Sequence, residues 1–183
     1  MKLTADAQQR LHVRITGYCL MPNHFHLLLW PAADGDLSRW MQWLLTAHVR
    51  RYHRHYHGSG HVWQGRFKAF PIQADDHYLQ VLRYIERNPL RAELVQRAQD
   101  WPWSSISTEA RENPGVLISE GPVAKPSGWA ARVNRAESEA ELQRLRQSVN
   151  RGTPYGSEAW NSATSVALGL ESSLRPRGRP RTK

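Results

Sequence analysis

Cysteine is almost absent from this 183-residue chain. A single thiol, Cys19, excludes a disulfide framework and any cysteine-based zinc site. It sits in an apolar run, where a core role is expected rather than a nucleophile's. Long apolar stretches are missing as well. No N-terminal segment resembles a secretory signal, and none approaches the ~20 apolar residues of a membrane helix. These absences fit a reducing, cytoplasmic setting. Acid is scarce: 16 Asp and Glu face 25 Lys and Arg, for a net charge of +9. That balance is the electrostatic footprint of a nucleic-acid binder, because cationic side chains displace counterions from phosphates. The plainer reading is a basic protein with no such partner.

Tryptophan, by contrast, is plentiful, with eight copies. Trp fills cores or stacks on unpaired bases.

The stretch from Tyr18 to Trp30 organises the rest. His12 to Leu20 reads as a strand, Met21-Pro22-Asn23 as a turn, and 24–30 as the antiparallel partner, ended by Pro31. Strand side chains alternate faces, so His24, His26 and Leu28 share one face and Phe25, Leu27 and Leu29 the other. Two neutral imidazoles side by side can bind one metal ion. Taken alone, His-x-His is more often the polar face of a half-buried strand than a ligand pair.

Asp36 is the expected N-cap of a helix whose apolar positions are Leu37, Trp40, Met41, Leu44, Leu45, His48 and Tyr52. Arg39, Arg50 and Arg51 occupy its opposite face. His53, His55, His57 and His61 follow, but their spacing matches no closed zinc pattern. Val62 to Ile72 reads as a basic turn and a strand-like run. Its Arg66 and Lys68 alternate with aromatics, a pattern that serves phosphates and bases. A second helix opens at Asp75-Asp76, with Tyr78, Val81, Leu82 and Ile85 at helical spacing, and stops at Pro89. On it Tyr84 and Asn88 lie one turn apart. The pair is compatible with a nucleophile beside an oxygen ligand, and equally with a packing tyrosine and a helix-ending Asn.

Trp101 to Ser105 reads as a packed surface loop. Residues 106–135 are rich in Gly, Pro, Ser and Ala and read as a linker. Segment 136–170 is a helical extension, with helices over 136–149 and 157–170. Residues 171–183 form a basic tail with no acid after Glu171. Its Arg177-Gly178-Arg179-Pro180 resembles the core of an AT-hook, which lays arginines along a narrow minor groove; the alternative is a basic tail with general phosphate attraction.

Four segments occur in one order: Met21-Pro-Asn-His-Phe-His-Leu-Leu-Leu29, Gly65-Arg-Phe-Lys68, Arg83-Tyr-Ile-Glu-Arg-Asn-Pro-Leu-Arg-Ala92, and Trp101-Pro-Trp-Ser-Ser105. That series resembles the REP-associated tyrosine transposases of the HUH single-tyrosine superfamily, over about residues 12–105. The resemblance implies an α+β, ferredoxin-like antiparallel sheet with helices on one face, in a domain spanning 1–105. It implies His24 and His26 as metal ligands, Asn88 as a third, and Tyr84 as the nucleophile. It implies Mg²⁺ or Mn²⁺, single-stranded or hairpin DNA as substrate, and action as a monomer or homodimer. Arg50, Arg51, Arg66, Lys68, Arg177 and Arg179 are the expected DNA contacts.

The same resemblance implies a strand and a helix ahead of the strand at 12–20. About eleven residues precede that strand, too few for a strand with its crossover helix. The expectation is a domain lacking both, with a sheet edge exposed beside the histidines. On that basis the competing reading is a catalytically inactive chain that only binds DNA.

Overall fold

Strand β1, Val13–Leu20, is the element the other parts of the first unit pack against in the computed structural model, which describes residues 2–112 and 115–175. It pairs antiparallel with β2, Phe25–Pro31, in the register Tyr18↔Leu27, Cys19↔His26 and Leu20↔Phe25. Asn23 and Pro22 make the exposed turn, and the Met21 N–H closes it on the His24 carbonyl at 2.9 Å. The class is α+β with an antiparallel sheet, as the sequence indicated.

The pairing carries one irregularity. Ile15 opposes Leu29 and Gly17 opposes Leu28, so Thr16 is an extra residue in β1. It re-phases the alternation. Val13 and Ile15 before it, and Tyr18 and Leu20 after it, therefore share one face. Helices α1, Lys2–Arg10, and α2, Asp36–Tyr56, pack there. The core joins Ala7, Val13, Ile15, Tyr18, Trp40, Met41 and Leu44, with Phe25, Leu27 and Leu29 of β2 against it.

Helix α1 corrects the expectation that no helix precedes β1. Lys2–Arg10 is a polar stretch, and it is held by the burial of Ala7 and Thr4 against the core. Helix α2 begins one residue earlier than expected. Gly35, in the left-handed region at φ 80°, takes the N-cap position. Asp36, the residue expected there, instead accepts from the Ala33 N–H at 2.9 Å and pairs with Arg39 at 2.6 Å.

The other face of the sheet holds Gly17, Cys19, His26 and Leu28. Helix α3, Asp76–Glu86, brings Leu82 onto Gly17, where no Cβ has room against the Leu82 side chain. Cys19 is fully buried, as expected of a core thiol. The short helix α4, Asn88–Arg91, continues from α3 through helical Arg87.

The free edge of β1 is taken by Trp101–Ser105. The Leu20 N–H donates to the Trp103 carbonyl at 2.8 Å, and the Ser105 N–H to the Tyr18 carbonyl at 2.9 Å. Further along, Ile15 bridges Ile118. Among the described residues β2 pairs only with β1.

The chain forms two compact units, Met1–Phe67 with Leu82–Ala136, and Lys68–Val81 with Glu137–Lys183. Residues 106–135, expected as a linker, are thus part of the first unit. They contain α5, Thr108–Glu112, and α6, Trp129–Asn134, and they bury Ile106, Val116, Trp129 and Val133. The Val62–Ile72 run is not a strand. It is irregular backbone with one bridge, Ile72 to Tyr155.

In the second unit α7, Glu139–Arg151, starts on a capping box formed by Ser138 and Glu141, and Gly152 ends it at φ 70°. The buried Tyr155 donates its hydroxyl to Gln80 at 2.7 Å. Helices α8, Glu158–Ala167, and α9, Glu171–Leu174, follow. Among the described residues no helix is long and apolar enough to cross a membrane.

Candidate active site

β2 presents His26 on the face opposite Phe25, as period-two alternation requires, and His24 stands just ahead of the strand. Their rings meet edge to face with centroids 5.1 Å apart. The Tyr84 ring of α3 lies 5.8 Å from the His26 ring, again edge to face. Two elements far apart in sequence thus bring three predicted site residues together. The close approach of α3 at Gly17 makes this possible: Leu82 rests on the sheet, and Tyr84 follows two residues later.

Asn88 is buried at the start of α4, one turn beyond Tyr84. The ring contacts join His24, His26 and Tyr84; Asn88 stands four residues after Tyr84 in the chain.

A fourth group enters from α4. The Arg91 guanidinium lies over the Tyr84 ring, 4.1 Å from its centroid, a cation–π contact. Sequence reasoning missed it, because Arg91 stands inside a motif without a role of its own. Its spacing of seven from Tyr84, two helical turns, was the available signal.

The electrostatics of the imidazoles follow from this setting. Burial, then His24, then Arg91 push the His26 pKa down to about 4. Burial and Arg91 also hold His24 below the usual histidine range, and its Nδ1 meets Asn23 Oδ1 at 2.7 Å. Both rings are therefore neutral near pH 7, the form that ligates metals. Two imidazole nitrogens suit a borderline or hard divalent ion that takes its remaining ligands as oxygens. Among the described residues no three His, Cys, Asp or Glu side chains form a metal cluster. The same absence of a cluster holds for the histidines at 53, 55, 57 and 61.

Behind the tyrosine, Glu86 is fully buried yet well satisfied. It accepts from Ser105 Oγ at 2.8 Å, Lys125 Nζ at 3.2 Å and Trp129 Nε1 at 2.6 Å. This carboxylate ties α3 to Trp101–Ser105 and to α6. No sequence pattern marked Glu86 or Trp129 for such a part.

The candidate DNA contacts are dispersed. Arg50 and Arg51 are exposed on α2, beside Trp43 and Arg54 in a surface depression. Arg66 is exposed in the first unit. Lys68 is exposed in the second, reaching Asn150 Oδ1 at 3.4 Å. Arg177 and Arg179 lie outside the described residues.

Residues 1–88 match the family described as "Transposase IS200 like". The chain is 29% identical over 95 residues to the "REP-associated tyrosine transposase" of Escherichia coli K12, covering 50% of this chain and 53% of that protein. It is 30% identical over 104 residues to the "Putative REP-associated tyrosine transposase" of Haemophilus influenzae, covering 51% and 58%. It therefore spans little more than half the length of these curated relatives. No solved structure matches.

Proposed function

We propose that this chain, whose residues 1–88 match the IS200-like transposase family, is a member of it and cuts and rejoins single-stranded DNA through a covalent link to Tyr84. The observation that carries the reading is the shared face of His24, His26 and Tyr84, with ring centroids 5.1 and 5.8 Å apart.

The Tyr84 hydroxyl oxygen attacks the phosphorus of a phosphodiester. The new O–P bond forms as the bond to the 3′-oxygen breaks, leaving a 5′-phosphotyrosine and a free 3′-hydroxyl. The phenol's proton passes to solvent, and the leaving oxygen takes one up. The reverse attack by a 3′-hydroxyl rejoins a strand. The covalent link conserves the bond energy, so neither direction needs a nucleotide cofactor.

His24 and His26 would hold Mn²⁺ or Mg²⁺, with Asn88 as a third donor. When bound, the ion polarises the phosphate. His26, half-buried and neutral, packs its ring against Tyr84 and so holds the tyrosine beside the imidazole pair. Arg91 supplies a fixed positive charge over the tyrosine ring. Arg50, Arg51, Arg66, Lys68, Arg177 and Arg179 contribute phosphate attraction along the bound strand.

The test is a denaturing gel of purified protein with a hairpin oligonucleotide carrying a single-stranded flank, with Mn²⁺ or with a chelator. A metal-dependent covalent adduct that Tyr84→Phe abolishes is the expected result. Salt-sensitive binding without an adduct would favour the non-catalytic DNA-binding reading. An adduct that survives Tyr84→Phe would refute the nucleophile.

A further inference from the structure

Helix α2 departs from its expected pattern at its C-terminal end. Leu37 through Leu45 face the core as the spacing predicts, but Tyr52, in the same series, is 41% exposed and Tyr56 is 63% exposed. Their rings are neighbours, with centroids 4.6 Å apart. A tyrosine pair one turn apart on a buried stripe would pack inward. This pair instead stands in solvent as a double aromatic surface.

The pair is not isolated. Tyr52 continues to His48, His48 to Trp63 at 4.9 Å, and Trp63 to Phe25 at 5.4 Å. Phe25 opens β2, between His24 and His26 in the chain. A run of ring contacts thus leads from the strand that carries the imidazoles to the exposed end of α2, and it holds the inner edge of the platform in place.

The charge that α2 itself carries toward this end is of one sign. Arg51 flanks the tyrosine pair, Arg50 and Arg54 are exposed on the far side of the same turns, and α2 contains no acid after Asp36. Exposed rings flanked by a guanidinium group match a strand that offers base faces and phosphates together. Duplex DNA offers only the phosphates, because its base faces are stacked.

We infer that Tyr52 and Tyr56 form a stacking platform for unpaired bases of single-stranded DNA, with Arg51, a quarter-turn away on the helix, holding an adjoining phosphate. The inference rests on the DNA-strand reading above and adds a specific contact to it. It makes the platform selective for single strands without reading sequence, since every base has a stacking face.

The experiment compares the full chain with Tyr52→Ala/Tyr56→Ala and Tyr52→Phe/Tyr56→Phe by fluorescence anisotropy. The probes are a labelled oligothymidylate, an abasic strand of equal length, and a blunt duplex. The alanine pair should weaken oligothymidylate binding by roughly tenfold or more, leave the abasic strand and duplex unchanged, and keep the salt dependence. The phenylalanine pair, which retains both rings, should bind as the wild type does. Unaltered thermal unfolding is expected because both side chains are exposed. Equal oligothymidylate affinity in the alanine pair, or an equal loss on the abasic strand, overturns the inference. So does exclusive binding of an acidic protein or of duplex by the platform. Adduct formation by the wild type is scored separately. An adduct with an indifferent alanine pair removes the platform alone, and base-dependent binding without an adduct removes the nucleophile reading alone.

Discussion

The Arg91 guanidinium lies 4.1 Å from the centroid of the Tyr84 ring and depresses the pKa of both His24 and His26. A fixed cation beside two neutral imidazoles repels a divalent ion unless an anion sits between them. A phosphate is such an anion. Arg91→Gln should therefore let Mn²⁺ bind more tightly by itself, while an added oligonucleotide strengthens that binding less than in the wild type. By linkage the oligonucleotide's gain from Mn²⁺ shrinks by the same factor. Titration calorimetry with and without DNA checks this. Loss of a charge-assisted phosphate contact should also slow adduct formation about 10- to 100-fold.

The half-buried His26 gives the fold an acid sensitivity. His26 titrates near 4 in the folded chain and near 6.5 when free. On acidification the unfolded chain takes up the proton first. Stability complete above pH 6.5 should be lost progressively as the pH falls toward 4, by up to roughly 3 kcal/mol. Urea unfolding in chelator across that range measures it. His26→Gln should flatten the profile, and an unchanged slope would rule out this imidazole as the source of the acid sensitivity.

Gly17 is where β1 meets α3. Adding a methyl group there presses on Leu82, which is fully buried. Gly17→Ala should cost about 1–3 kcal/mol as an overpacked contact. Because Tyr84 lies two residues on, adduct formation should fall as well, even where the variant is still fully folded. Urea midpoints and gel assays at one temperature separate the two effects.

Glu86 should be unusually intolerant of change. Glu86→Ala leaves Ser105, Lys125 and Trp129 without their acceptor and should destabilise by about 3–5 kcal/mol. Trp129→Phe removes one bond of three and should cost about 1–3 kcal/mol. Equal, small losses for both would mean the carboxylate is not the tie between α3 and α6.

How much of the fold and the site was legible in the sequence depends on range. The hairpin was, because apolar alternation and a Pro-Asn turn are local. Helix α2 was, because Trp40, Met41 and Leu44 mark a 3.6-residue stripe. The Tyr84 face was visible as a spacing, and only the ordered motifs gave it meaning. Helix α1 was hidden because its burial rests on Ala7 and Thr4, which carry little hydropathy signal. The pairing of Trp101–Ser105 with β1 was hidden because its hydrogen bonds span more than 80 residues. The Gly- and Pro-rich stretch 106–135 looked unstructured by composition, while its scattered Val116, Trp129 and Val133 are core residues. Val62–Ile72 had the side chains of a strand but no neighbouring backbone to pair with beyond one bridge.

Thr16 has a consequence of a different kind. It is the residue by which β1 exceeds its partner, and it sets the parity of everything on either side. At that place the chain is constrained in length more than in chemistry. A valine or serine there keeps the count and so keeps Cys19 and Gly17 turned toward α3. Removing the residue would swap inside for outside along half the strand, sending Ile15 and Val13, or Tyr18 and Leu20, to the side where the imidazoles stand. The frame that aims the histidines is thus counted out one residue at a time, and a single subtraction would turn it over.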